Sequence, residues 1–177
     1  MEYIKKFGIE KGFGHDMLAI VTKSNNKKNY YPASDEQKEI ALNIKPVSSP
    51  DFPMSTHPQY MGTPRYGLQK FSDLYTNRTL FALSTFSENI KMIQEEIFID
   101  AINAGFDNDD VPLRNGGKGA RAYSEAIVTY LALAFSKWTD YLSTICTWNP
   151  TNENIRNVFT RQAIPMAWDF ADANVFS

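Results

Sequence analysis

The strongest periodic signal in the chain runs from residue 120 to residue 145. Tyr123, Ile127, Tyr130, Leu131, Ala134, Trp138, Tyr141, Leu142 and Ile145 recur at steps of three and four, which gathers them on one helix face. Val128, Leu133 and Phe135 widen that face, leaving Glu125, Thr129, Ser136, Asp140 and Ser143 as a narrow polar stripe. A helix apolar over most of its circumference is ordinarily packed among several neighbours. The pattern therefore predicts one long helix over 120–145, buried as the central pillar of the domain. A second stripe of Leu80, Leu83, Phe86, Ile90, Ile93, Ile97 and Ala101 predicts a helix capped by Thr76, running to about Asn103 and stopped by Gly105. The polar loop 106–119 joins the two, and a pair so connected packs most simply antiparallel.

Elsewhere the pattern is shorter-ranged. Residues 17–22 (MLAIVT) read as a strand, 24–29 (SNNKKN) as a turn, and Tyr30-Tyr31 as the returning arm of a hairpin. Ser34, with Gln37 three positions on, predicts a capped helix over 35–43. Residues 1–16 are charged and punctuated by glycine, and give no assignment. Residues 46–64 carry five of the nine prolines, a spacing that admits no regular element. That stretch is an extended connector, either a domain boundary or an arm wound over one domain. After Trp148-Asn-Pro-Thr-Asn152, Ile155, Val158 and Phe159 predict a helix over 153–163, interrupted at Pro165 and resumed for a turn or two to 173. The expected fold is α+β, mostly α, in three parts. These are a β-β-α unit over 1–45, a proline-rich connector over 46–70 and a helical domain over 71–177.

Composition adds exclusions. Hydrophobic residues make up 43% and charged residues 21% of the 177-residue chain, proportions of an ordinary globular protein. The net charge of −2 argues against a global electrostatic hold on nucleic acid and leaves room for a local basic patch. The charged start contains no signal-peptide core, and no apolar run reaches the ~20 residues needed to cross a bilayer. A cytoplasmic protein with no membrane contact is expected. The lone Cys146 excludes an internal disulfide and a thiolate zinc cluster, and its place after an apolar helix predicts a small buried side chain. His15 and His57 stand far apart, without metal-ligand spacing.

Candidate chemistry is sparse. Gly8, Gly12 and Gly14 form G-x-x-x-G-x-G, but a nucleotide-binding turn needs a strand before it and a helix after it, so a flexible entry loop is expected. Asn115-Gly-Gly-Lys-Gly119 could offer amides and Lys118 to a phosphate ahead of a helix, although it lacks the P-loop spacing. Trp148-Asn-Pro-Thr151 falls short of the Asn/Asp-Pro-Pro-aromatic motif of amino-group methyltransferases and reads as a turn. The most suggestive surface is Arg156, Asn157, Arg161 and Gln162, because Arg, Asn and Gln bond phosphates and base edges in pairs. Its plainer reading is a solvated helix face, with ion pairs to Asp169 or Asp172. No Ser/His/Asp set, Cys/His pair or carboxylate cluster stands at credible spacing, so no self-contained active site is expected.

Ordered phrases also carry a resemblance. Phe71-Ser-Asp-Leu-Tyr-Thr-Asn-Arg-Thr-Leu80 with Ala82-Leu83 resembles the "dLFt-x-RQl-x-aL" stretch of the large adenine-specific DNA methylases that carry a zinc-ribbon module. Tyr123 to Leu133 and Asp140-Tyr-Leu-Ser-Thr-Ile-Cys-Thr-Trp148 are similar to that family's "aTYLALa…aDYnS-x-lc-x-W". Ile155-Arg-Asn-Val-Phe-Thr-Arg-Gln-Ala-Ile-Pro-Met-Ala-Trp-Asp-Phe-Ala-Asp-Ala-Asn174 resembles "iRNtF-x-RQAlPMvWDyaE-x-Np". Thr79 and Val175 depart from these patterns. The family's glycine-rich cofactor motif, Pro-Pro-Tyr motif and zinc-ribbon cysteines have no counterpart here. The resemblance implies a non-catalytic central helical region of an S-adenosylmethionine-dependent adenine DNA methyltransferase, with no catalytic, cofactor or metal residues of its own. It implies the parent's catalytic core as a partner, and the chemistry of Arg156, Asn157, Arg161, Gln162 and Lys118 makes them the expected contacts to double-stranded DNA. The alternative is an assembly module whose aromatic surplus (Trp138, Trp148, Trp168, Phe170, Phe176) marks a docking surface or a homodimer contact.

Overall fold

A computed structural model of the chain describes residues 1–159 and 162–176. In chain order it holds α1 (Glu2–Lys11), β1 (Ile20–Ser24), β2 (Lys27–Tyr31), α2 (Asp35–Asn43), α3 (Asn77–Asn103), α4 (Ala120–Thr139), β3 (Trp148–Asn149) and β4 (Asn154–Ile155), with short 3-10 turns between. The class is α+β and mostly α, as the pattern predicts. Two compact units divide the chain, Met1–Ala82 with Asp140–Ser177 forming one and Leu83–Thr139 the other. Neither 45/46 nor 70/71 coincides with that division.

The first unit is built on close local rules. α1 occupies residues that the pattern leaves unassigned and runs through Gly8 of the expected entry loop, and Gly12 ends it at φ 73°. It lies against the turn Thr63–Tyr66 through a backbone approach that excludes side chains. A Cβ on Gly8 would sit 2.3 Å from the Tyr66 carbonyl oxygen. β1 and β2 pair antiparallel from Ile20–Tyr31 to Ser24–Lys27. Asn25 and Asn26 bridge them at φ 49° and 60°, the left-handed pair that a two-residue type I′ hairpin demands and that Asn tolerates. In α2, the Gln37 amide donates to Ser34 Oγ at 3.2 Å and the Ser34 amide donates to Gln37 Oε1 at 2.9 Å, closing the expected capping box.

The core of this unit comes from segments without regular structure. Met54, Met61, Leu74, Ile145 and Ile164 are buried together, with Leu68, Tyr75, Val158 and Ala167 packed around them. Residues 46–70 thus act as an arm that supplies apolar side chains. Residues 140–146 are the most deeply enclosed run, with Leu142, Ser143 and Cys146 at 2%, 0% and 0% exposure. Periodicity predicts that these residues continue the long helix, but α4 stops at Thr139. Here the backbone is claimed from outside the helix, since the Thr144 amide donates to the Leu74 carbonyl at 2.7 Å. The Ile145 amide turns to Ser143 Oγ at 3.3 Å, the side-chain competition that draws Ser out of helices.

The C-terminal helix expected over 153–163 is absent from its described residues, and so is the helical turn after Pro165. β3 and β4 form a small antiparallel ladder in its place, Trp148 opposite Ile155 and Asn149 opposite Asn154. The Ile164 amide then donates to the Tyr60 carbonyl and the Gly62 amide to the Ile164 carbonyl, at 2.7 and 2.9 Å. Farther on, the Ala171 amide donates to the Cys146 carbonyl at 2.7 Å. Long-range partners for each segment outweigh the weak gain of a short helix.

The second unit is a helical hairpin. Phe86, early in α3, meets Trp138, late in α4, with ring centroids 5.2 Å apart. Toward the other end Lys91, Gln94 and Phe98 share an open groove with Asp110 and Arg121. The two helices therefore run antiparallel. α4 is not a buried pillar, however. Only Ala120, Ala122 and Ser124 are buried along it, while Tyr130 is 73% and Leu133 62% exposed. Across α3 from residue 83 to 100 no side chain is fully buried either.

Candidate nucleic-acid interface

The residues singled out for DNA contact separate into different situations. Asn157 is committed internally, its Nδ2 donating to Asp140 Oδ2 at 3.0 Å. The other oxygen of that carboxylate accepts the amides of Val158 and Phe159 at 2.9 and 2.7 Å. Asp140, 7% exposed, thereby holds residues 157–159 in a bend and removes from them the amides that a helix would use. Arg156 and Gln162 are exposed. The Arg156 amide donates to the Thr147 carbonyl at 2.9 Å, which ties its backbone to the strand connection while the side chain stays in solvent. Arg161 lies outside the described residues. The expected one-turn spacing from Asn157 to Arg161 ends outside the described residues, and Arg156 and Asn157 themselves lie in no helix. Of the acids named as ion-pair partners for this surface, Asp172 binds Arg78 and takes the Thr79 hydroxyl at 3.3 Å.

Lys118 is exposed on the loop before α4. A phosphate at that helix start would meet a carboxylate. A Cβ on Gly119 would lie 2.5 Å from Asp109 Oδ1 and 2.3 Å from the Asp107 carbonyl oxygen. The Ala120 amide already donates to the Asp107 carbonyl at 2.8 Å, so the loop's own oxygens serve the positive end of the helix. Arg121 is engaged too, at 2.7 Å from Asp110 and 3.1 Å from Glu125. The Asp110 bond leads in holding its pKa above the ordinary arginine value. Glu125 accepts the Leu113 amide at 2.7 Å, which is the first cause of its lowered pKa.

The β1–β2 hairpin brings basic groups that helical spacing does not single out. Lys28 Nζ donates to the Glu153 carbonyl and sits 4.9 Å over the Trp148 ring. Tyr30 packs edge-on against the same ring, with centroids 6.3 Å apart, and its hydroxyl reaches Glu153 Oε1 at 3.2 Å. Burial and then the Glu153 charge push the Tyr30 pKa upward. The ladder that precedes Arg156 therefore also seats the hairpin. A signal was present in the sequence, since residues 17–34 hold three lysines and no acid.

Of the five aromatic residues expected to mark a docking surface, two are strongly exposed, Trp168 at 56% and Phe176 at 84%. Trp148 is half-buried under the hairpin and Trp138 against Phe86, and Phe170 is half-buried beside His15. Cys146 is buried as expected, and desolvation raises its thiol pKa. Among the described residues no helix is long and apolar enough to cross a membrane, and no three His, Cys, Asp or Glu side chains are grouped to hold a metal ion. In comparisons with known proteins, the chain matches no family model, no curated protein and no solved structure.

Proposed function

We propose that this chain is the non-catalytic central region of an S-adenosylmethionine-dependent adenine-specific DNA methyltransferase. It would brace the parent's catalytic core and meet DNA through the surface around Arg156 and Gln162. The observation that carries the reading is the order and spacing of the phrases 71–83, 123–133, 140–148 and 155–174. The bonding of three of them supports it: Leu74 binds Thr144, Thr79 binds Asp172, Asn157 binds Asp140 and Cys146 binds Ala171. Groups spent on such mutual bonds hold a frame. Base methylation requires the adenine to leave the stack, and a frame beside the core can hold the opened duplex.

The test is binding by the chain itself. Calorimetry is expected to show no heat with S-adenosylmethionine. Anisotropy with a labelled duplex is expected to report weaker affinity for Arg156→Ala with Arg161→Ala. Removing one phosphate-binding cation flattens the dependence of log Kobs on log salt by about 0.9. Unchanged affinity and slope in that variant would remove the DNA contact from the proposal, and tight cofactor binding would remove the non-catalytic role.

A second reading, an assembly module, is favoured by the exposure of Tyr130, Leu133 and Met92 on the helical hairpin, Met92 at 71%. Exposed apolar surface, where it is extensive, ordinarily meets another protein. Sedimentation that shows self-association while the duplex stays unbound would select it.

A further inference from the structure

We infer that the β1–β2 hairpin is a finger for duplex nucleic acid, inserted tip-first against the phosphate backbone. Its strands bury almost nothing: in β1 only Ile20 is even half-covered, and in β2 only Lys28 and Asn29 are. Such a ribbon is not explained by a core. Its turn is fixed by the left-handed Asn25 and Asn26, so the tip presents Ser24, Asn25, Asn26 and Lys27 in one geometry.

Charge supplies the partner. Lys23 stands directly across from Lys28 in the ladder, a like-charge pairing that costs stability in a sheet. Lys28 is drawn away to the Glu153 carbonyl and the Trp148 face. The nearby acid on that side, Glu153, is taken by the Tyr30 hydroxyl. No bond or ion pair joins Lys23 or Lys27 to another described side chain, and residues 17–34 contain no acid. Side chains alternate along a strand, and Lys27 pairs with Ser24 rather than with Lys23. The two exposed cations therefore fall on opposite faces of the ribbon, with amide and hydroxyl groups between them at the tip. A polyanion satisfies both, and a duplex adds the fit of shape. A two-stranded ribbon enters a major groove about 12 Å wide, with one lysine for the phosphates of each rim. Arg156, one residue beyond β4, adds a further exposed cation on the ladder that seats the hairpin. The hairpin's lysines and turn are independent of the methyltransferase reading.

The experiment is fluorescence anisotropy of the full chain with a labelled 20-base-pair duplex across a salt series, beside Lys23→Gln with Lys27→Gln. Both lysines are exposed, and circular dichroism checks that the variant folds. The wild type is expected to bind duplexes of unrelated sequence alike, and the variant to lose a salt slope of about 2. Lys23→Arg with Lys27→Arg is expected to restore it. A wild type that ignores the duplex, or prefers phosphatidylserine vesicles to it, overturns the inference. So does a glutamine variant that binds like the wild type but self-associates, which would assign the lysines to guarding an open sheet edge. Loss of binding in Arg156→Ala with an unchanged glutamine variant likewise overturns it, while leaving the proposed function intact.

Discussion

Asp140 shows how much one carboxylate can decide. It follows the last residue of α4, fixes the bend at 157–159 and lends its carbonyl to the Cys146 thiol at 3.3 Å. Three charge-assisted bonds from residues 157–159 end on its side chain, and hydrogen bonds to a charged group contribute about 1.5–3 kcal/mol each, not additively. Asp140→Ala is expected to cost at least about 3 kcal/mol in chemical denaturation, whereas Asn157→Ala, which removes one of those donors, should cost about half as much. Equal small losses would mean the bend holds itself. Glu125 makes a pH-dependent counterpart in the other unit. Its folded pKa lies below the ordinary carboxylate value of about 4.3. The bond to the Leu113 amide therefore contributes fully above that value and is lost as pH falls through the lower folded one. The Leu113 amide resonance should hold steady from neutral pH to about 5 and shift below the ordinary carboxylate range, and Glu125→Gln should abolish the shift. A resonance unmoved down to about pH 2 would contradict the assignment.

At the scale of elements, periodicity and burial part company in α4. Its stripe is real, and the helix forms, but the enclosed residues lie beyond its end at 140–146. Two substitutions separate the alternatives. Leu133→Glu, on the exposed stretch, is expected to change stability within about 0.5 kcal/mol. Leu142→Ala, at 2% exposure, should cost about 2–5 kcal/mol through lost packing and the cavity left behind. A large loss at Leu133 would restore the buried pillar. Short elements follow local chemistry more faithfully. Ser34 with Gln37 marks α2 to its residue limits, and the Asn-Asn turn closes the hairpin. α1 is illegible because Tyr3, Ile4 and Phe7 are interrupted by charge, and its anchor is a backbone approach at Gly8 that no side-chain pattern displays.

For the whole molecule, the division into two units has a consequence in stability. Residues 54–75 and 140–146 share the buried cluster of the first unit, while the long helices of the second expose apolar side chains along most of their length. Opening free energy follows local burial. Hydrogen exchange is expected to be slowest in 72–75 and 142–146 and measurably faster in 88–99 and 129–137, despite the regular helix there. The reverse order would show that the helical hairpin is the more stable body.

Residue order alone was enough for much that is local: the class, the hairpin, the capped α2 and both long helices as elements. These depend on neighbours within a few positions, where propensity, capping and turn geometry act directly. Folding in three dimensions decided where α4 would stop, that 153–163 would begin as a ladder instead of a helix, and that the proline-rich arm would line the core. Each of those outcomes turns on a backbone group finding a partner far along the chain, Thr144 at Leu74, Val158 at Asp140, Ile164 at Tyr60. A buried donor left unpaired costs more than a short helix returns, so the distant partner prevails and the local pattern does not announce it.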